Sequence, residues 1–283
     1  MNADQAMAIL PLLVLAAGAT LMMLQIAVRR DASLTSLLAM LTLLAAALGA
    51  VPAADYAPRQ VTSILLADQL ALLMSALFCL VGLVTAALSQ KYLEGRGDEP
   101  EEYFLLLVLS TLGACVLAYG VHLVALILGL ELMSIALYAL IAYPDKSLLP
   151  LEAAVKYLIL SAAATATALF GFALLYAATG ALGFAELGDA LGQARADDGL
   201  LMVAAVLIVA GLGFKLSLVP LHLWTPDVYQ GAPAPITGFL ASAAKAAVFV
   251  TLWRLFVEAD LFRYGILVEC TGLMALLSML GGN

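Results

Sequence analysis

Apolar residues along this chain fall into long, nearly unbroken runs rather than an alternating pattern. Nine runs can be marked off, over residues 6–28, 34–51, 63–88, 103–119, 121–142, 151–176, 200–219, 235–257 and 264–280. Each approaches the ~20 residues that a helix needs to cross a hydrocarbon layer ~30 Å thick. Backbone groups in lipid must be satisfied within the structure, which leaves helices or a closed barrel. Barrel strands alternate apolar and polar positions, and these runs do not. The pattern therefore predicts an all-α polytopic membrane protein: one transmembrane domain over residues 1–283, built as a bundle of about nine helices. The junction near Gly120 is very short, so the fourth and fifth spans should form a tight antiparallel hairpin.

The seventh span carries its own interruption. Pro220 has no backbone N–H, and its ring clashes with the carbonyl of Leu216 in a continuous helix. Residues 221–231 then read as a second, shorter segment bearing His222, Trp224, Pro226 and Asp227. Two readings stay open from sequence: a broken helix lining a watery cavity, which bilayers tolerate, or a proline kink that ends the helix at the membrane surface.

Composition supports the membrane reading and narrows the chemistry. The chain is 65% hydrophobic and 11% charged, where a soluble domain is about half apolar and about a quarter charged. Its net charge of −8 is concentrated in loops, notably at Asp98, Glu99, Glu101 and Glu102, and there is no basic patch for a nucleic-acid partner. Cys79, Cys115 and Cys270 lie far apart in apolar segments, with no metal-ligand spacing, and read as packing residues. The first run lacks a basic leader and a small-residue cleavage site, which suits a permanent anchor. With the N-terminus outside, Arg29, Arg30, Lys91, Arg96 and Lys146 fall in cytoplasmic loops, against Arg59, Arg195 and Arg263 outside and Arg254 near a helix end. The positive-inside bias favours that arrangement, an N-terminus in the periplasm of an inner-membrane protein.

Against this apolar background, Glu131, Lys215 and Lys245 stand near the middle of spans. Each costs roughly 2.5–3.5 kcal/mol at the centre of a membrane helix, so together on the order of 8–10 kcal/mol if the costs add. Residues of this kind face a bundle interior and mark ion or proton pathways, or serve as static interhelical ion pairs. Desolvation favours the neutral form of an amine and a nearby carboxylate favours the charged form, so a lysine–glutamate pair can act as a proton switch. Glu131 is the candidate partner of Lys215, with Lys245 as the next station and His222 as a relay that titrates near neutral pH. Lys156, closer to a span end, either joins the path or snorkels to the interface. Asp68 and Glu269 sit near span ends, where interfacial solvation accounts for them equally well. His122 reads as a surface or packing residue.

These residues carry a family resemblance. The stretch KLSLVPLHLWTPDVYQGAPAPITGFLASAAKAAVF, residues 215–249, resembles the signature of the antiporter-like membrane subunits of respiratory complex I. The run HLWTPDVYQGAP, residues 222–233, followed by Lys245, is closer to the subunit N branch of bacterial NADH:quinone oxidoreductase than to its L and M sisters. LILGLELMSIALYAL (126–140) and LEAAVKYLILSA (151–162) add support. The resemblance implies two inverted repeats of five helices, each with a broken helix, the first repeat covering about 103–257. It implies that Glu131, Lys215 and Lys245 match the family's charged positions on the fifth, broken and eighth helices. Lys156 and His222 match further polar positions of a buried hydrophilic axis. It also implies proton translocation driven by electron transfer elsewhere, with no flavin, iron–sulfur cluster or nicotinamide in this subunit. Partners would be the lipid bilayer and other complex I membrane subunits, with quinone and NADH bound by other subunits. The alternative is a subunit of a multisubunit sodium/proton antiporter, which shares these positions. Family members have about fourteen helices, so this sequence would hold the first repeat and the start of the second, and the ending LLSMLGGN looks like an interruption.

Overall fold

The computed structural model describes residues 2–94, 100–143, 148–193 and 199–282. A short helix α1 (Ala3–Ala8) leads into α2 (Leu10–Val28), with Pro11 in its first turn, where the missing N–H costs nothing. Helix α3 (Ala32–Ala53) starts at Asp31, whose side chain accepts from the Leu34 N–H and so caps the helix. Strands β1 (Arg59–Thr62) and β2 (Leu65–Ala67) form an antiparallel hairpin before α4 (Gln69–Leu93). Helix α5 (Glu101–Tyr119) and helix α6 (Leu123–Ala142) follow, then the long α7 (Leu148–Thr179) and the short amphipathic α8 (Phe184–Gln193). The broken element comprises α9 (Gly199–Leu216) and α10 (Trp224–Gly231). It is followed by α11 (Ala234–Phe239), a π-helical turn over Leu240–Ala244, α12 (Lys245–Glu258) and α13 (Gly265–Gly282).

Among the described residues eight helices are long and apolar enough to cross a membrane, counting α11, the π turn and α12 as one. The ninth expected span is α13, whose apolar stretch Leu267–Gly281 is shorter. The third span begins later than its hydropathy suggests. Residues 63–67 lie in the turn and second strand of the hairpin, and Asp68 caps α4 by accepting from the Ala71 N–H. The hairpin between α5 and α6 forms as expected. His122 is its N-cap, accepting from the Val124 N–H at Nδ1. That junction is woven into the surface: Leu65 bridges Gly120, His122 bridges Gly183, and the Ile64 carbonyl accepts from the Val121 N–H.

Two membrane faces can be told apart by their side chains. On one, Gln25 accepts from Thr35 at 2.6 Å, Gln90 donates to Ser36 at 2.8 Å, and Arg30 pairs with Glu102. Arg29, Arg30 and Lys91 belong to this face. On the other lie the β hairpin, Arg59 and Arg254. Arg254 is 3% exposed and binds Asp68, Glu258 and the carbonyl of Ala118, while Thr251 donates to the carbonyl of Leu117. These two side chains of α12 therefore bind carbonyls of the last turn of α5, that of Leu117 accepting from the Gly120 N–H as well. Arg96, Lys146 and Arg195, and the acidic pair Asp98 and Glu99, lie outside the described residues.

Small residues set the closest helix contacts. A methyl group at Gly113 of α5 would sit 2.5 Å from the backbone nitrogen of Met133 on α6. One at Gly211 of α9 would sit 2.5 Å from the Cβ of Ala168 and 2.6 Å from the carbonyl oxygen of Ala164, both on α7. Lipid supplies no hydrophobic drive between helices, so close backbone approach through small residues is how such pairs gain packing energy. The α7–α9 contact brings the end of α9 against the middle of α7, and there the candidate site forms.

Candidate functional site

The seventh span is broken, as Pro220 requires. Helix α9 ends at Leu216 through a Schellman-type closure: Ser217 adopts φ 58°, its N–H donates to the Phe214 carbonyl, and the Leu218 N–H donates to the Gly213 carbonyl. The Leu216 carbonyl has no helical donor, because the residue four further on is Pro220. Residues 217–223 run as turns before α10 resumes. Three groups hold the break in place. Trp224 donates its indole N–H to the Phe214 carbonyl at 3.0 Å and stacks between Phe214 and Tyr157. Thr225 donates to the hydroxyl of Ser217 at 2.8 Å. The Val219 N–H donates to Ser278 of α13 at 3.0 Å.

Lys215 occupies the last turn of α9, where the carbonyl end of the helix dipole favours a cation. It is 6% exposed. Its ammonium donates to Ser134 of α6 at 2.8 Å and to Ser161 of α7 at 2.6 Å, both serines being fully buried. Tyr138 donates to Ser161 at 2.7 Å. The result is a hydroxyl cradle from two helices around one lysine.

Glu131 lies one turn before Ser134 on α6, close enough for its field to reach Lys215. The two do not touch. Among the described residues Glu131 forms no ion pair, and its Oε1 is buried without a hydrogen-bond partner. The direct glutamate–lysine contact suggested by sequence is replaced by an arrangement in which the Ser134 hydroxyl takes the lysine proton donor. Serine at i+3 from Glu131 shares its helix face, a signal that sequence reading passed over. Ser161, Tyr138 and Trp224 were missed as well.

The other expected positions are distributed around this centre. His222 sits in the turn after Pro220, half-buried, with Nδ1 enclosed and unpartnered. Lys245 is the first residue after the π turn, a distortion that recurs at functional positions in helices. It lies half-buried over the ring of Tyr229, 5.2 Å from its centroid, and forms no hydrogen bond with His222 or Lys215 among the described residues. Tyr229 in turn meets Trp224 edge-on at 6.5 Å, so an aromatic group links the surroundings of Lys245 and Lys215. Lys156 is placed differently: it faces outward from α7, ion-paired to Glu152 and Asp227 at 2.7 Å each. It is not drawn into the buried centre.

Such a centre can shift a proton. It combines an enclosed amine held by neutral, rotatable hydroxyls with a nearby carboxylate that has a free oxygen. Residues 120–283, more than half of the chain and including this whole centre, match the family model described as NADH:quinone oxidoreductase/Mrp antiporter, TM. The chain belongs to that family. Among solved structures, members of NADH:quinone oxidoreductase-type and Mrp-type assemblies share its fold. A chain of respiratory complex I from Thermus thermophilus with bound aureothin is 33% identical, with a TM-score of 0.74 over 86% of this chain and 52% of that one. A chain of the membrane-bound sulfane sulfur reductase, an archaeal respiratory membrane complex, is 26% identical, with a TM-score of 0.74 over 85% and 52%. A chain of the Mrp complex from Dietzia sp. DQ12-45-1b shares the fold at 22% identity, with a TM-score of 0.75 over 92% and 50%. This chain spans about half the length of the solved chains it matches. It is thus an antiporter-like, multi-span membrane protein, and the solved chains it matches come from respiratory and Mrp complexes.

Proposed function

We propose that this chain is a proton-translocating membrane subunit of an NADH:quinone oxidoreductase, driven by electron transfer in other subunits. The observation that carries this reading is the Lys215 centre: a buried ammonium at a helix break, bound by two serines, with an unpartnered Glu131 oxygen nearby. A structural ion pair would put the carboxylate directly on the ammonium. Here the carboxylate is held back, so a small movement of α6 or of the break changes how strongly Lys215 holds its proton. Lys245 and His222 are the further proton-transfer positions of this proposal, with Pro220 providing the break and Lys156 lying outside the buried centre. The region from α5 through α12 acts as the first repeat of the transport fold. Quinone and NADH bind elsewhere in the complex. The protein lies in the cytoplasmic membrane with its N-terminus in the periplasm, a topology supported by Arg29, Arg30 and Lys91 on the opposite face.

A sodium/proton antiporter subunit is the second reading, favoured by the breadth of the family description and by the shared fold of the Mrp chain. The higher identity to the complex I chain supports the first. Purified complex in proteoliposomes separates them. NADH-driven acidification that Lys215→Gln abolishes, while NADH oxidation persists in uncoupled membranes, fits the oxidoreductase. Sodium-driven proton movement without any NADH response would overturn it in favour of the antiporter.

A further inference from the structure

Two buried oxygens close to the Lys215 centre lack hydrogen-bond partners among the described residues: Oε1 of Glu131 on α6 and the hydroxyl of Thr165 on α7. Thr165 is 9% exposed. A threonine within a helix can donate its hydroxyl to the carbonyl four residues earlier. Thr167 and Thr179 of the same helix do so, to Ala163 and Leu175. Thr165 does not, although the Ser161 carbonyl stands in the same relation to it. An orphaned buried hydroxyl is destabilising, and a valine would fill the same space without that cost.

The register of the two helices places both oxygens at one level. Tyr138 and Tyr157 meet edge-on at 5.2 Å. Ser134 and Ser161 both accept from the Lys215 ammonium, at 2.8 and 2.6 Å. From the first pair to the second, α6 steps back four residues and α7 steps forward four, so the helices run antiparallel. About one turn further, the same register sets Glu131 opposite residue 164, one residue from Thr165, or about 1.5 Å along the helix. Tyr157, Ser161 and Thr165 recur at four-residue intervals and share a face of α7, as Tyr138, Ser134 and Glu131 share one of α6. The Glu131 carboxylate acts electrostatically on Tyr138, Tyr157 and Lys215, which places it toward this seam. The seam thus has three rungs: two rings, two hydroxyls joined through Lys215, and an acceptor-only carboxylate level with a free hydroxyl donor.

We infer that Thr165 is a positioning residue for Glu131: its hydroxyl donates to the Glu131 carboxylate when that group draws away from Lys215, and so gives the carboxylate a second resting place. The inference rests on the reading of Glu131 and Lys215 as a proton switch, and it adds the other pole of that switch. With the third rung closed, the amine loses the field that favours its charged form. The displaced carboxylate meets a neutral donor rather than an apolar wall.

The test uses the assembled complex in proteoliposomes, read by infrared difference spectroscopy across a pH titration and by NADH-driven pumping. The carboxyl band lost in Glu131→Gln identifies the Glu131 signal. Thr165→Val keeps the shape and removes the hydroxyl. It should move that band to higher wavenumber and lower pumping roughly fivefold, the weight of one neutral hydrogen bond. Thr165→Ser restores the donor and should return both readouts to those of the wild type. The thermal midpoint of the resting complex should not fall in Thr165→Val, since the hydroxyl has no partner there to lose. An unmoved Glu131 band in Thr165→Val overturns the inference, as does a serine variant that behaves like the valine one. A lowered midpoint or failed assembly of Thr165→Val also overturns it, because the hydroxyl then holds a structural bond. So does normal pumping by Thr165→Val where Glu131→Gln pumps poorly. Normal pumping by Glu131→Gln itself defeats the proposed switch instead, and the band position still decides whether Thr165 holds the carboxyl group.

Discussion

Lys215 and Ser161 lie 2.6 Å apart, and this hydrogen bond ties the broken end of α9 to the middle of α7. Together with the bond to Ser134 it gives the lysine two neutral acceptors and keeps Glu131 at one remove. Charge-assisted bonds of this kind contribute about 1.5–3 kcal/mol each. They are strong enough to hold the lysine, yet a hydroxyl rotates without leaving a charge stranded.

Removing the two hydroxyls together should damage transport more than assembly. Ser134→Ala with Ser161→Ala is expected to lower proton uptake by reconstituted vesicles at least tenfold, while the complex still purifies intact. Ser161→Thr keeps the hydroxyl and should retain most activity. Wild-type uptake in the double variant would assign the lysine proton to another acceptor.

Glu131 and Lys215 should behave as one unit. Glu131→Ala and Lys215→Ala are each expected to reduce pumping tenfold or more, about 1.4 kcal/mol or more in barrier height. The double variant should be no worse than the poorer single, which is the signature of coupling in a mutant cycle. Additive losses would show that the carboxylate and the amine act independently.

Lys245→Arg keeps a cation over the Tyr229 ring but does not release its proton readily. The variant should insert and assemble, yet pump poorly. Normal pumping would make Lys245 a structural cation. Tyr229→Leu removes the ring, which costs about 0.5–2 kcal/mol of cation–π attraction, and should lower thermal stability slightly.

Trp224 should carry much of the stability of the break. Trp224→Phe keeps an aromatic ring between Tyr157 and Phe214 but loses the bond to the Phe214 carbonyl, an expected cost of about 1 kcal/mol. Trp224→Ala loses both, with an expected cost of about 3–5 kcal/mol. Thermal denaturation of the purified complex in detergent would rank the two. Equal midpoints would mean that other contacts fix the break.

On the opposite face, Arg254→Met should be harsher than its position near a helix end suggests. It removes the cation beside Asp68 and Glu258 and frees the Ala118 carbonyl, and because both carboxylates keep some contact with solvent the expected cost is about 1.5–3 kcal/mol. Reduced yield of folded protein, partly restored by adding Asp68→Asn, is the expected outcome.

The sequence by itself determined the membrane helices, an interruption at Pro220 and the presence of charge within apolar spans. These are local matters: an apolar run in lipid has to satisfy its own backbone, and Pro220 has no N–H to give. The β hairpin at 59–67 escaped because its apolar residues extend the run of α4, and hydropathy does not distinguish a strand lying on the surface from the first turn of a helix. What only the tertiary structure decided is which side chains meet. Lys215 reaches Ser134 and Ser161 rather than Glu131, and Lys156 turns outward to Asp227. The rotation of each helix about its axis settles those contacts. It is set by close approaches at residues such as Gly113 and Gly211, and helices apolar on nearly every side leave no stripe from which that rotation could be read.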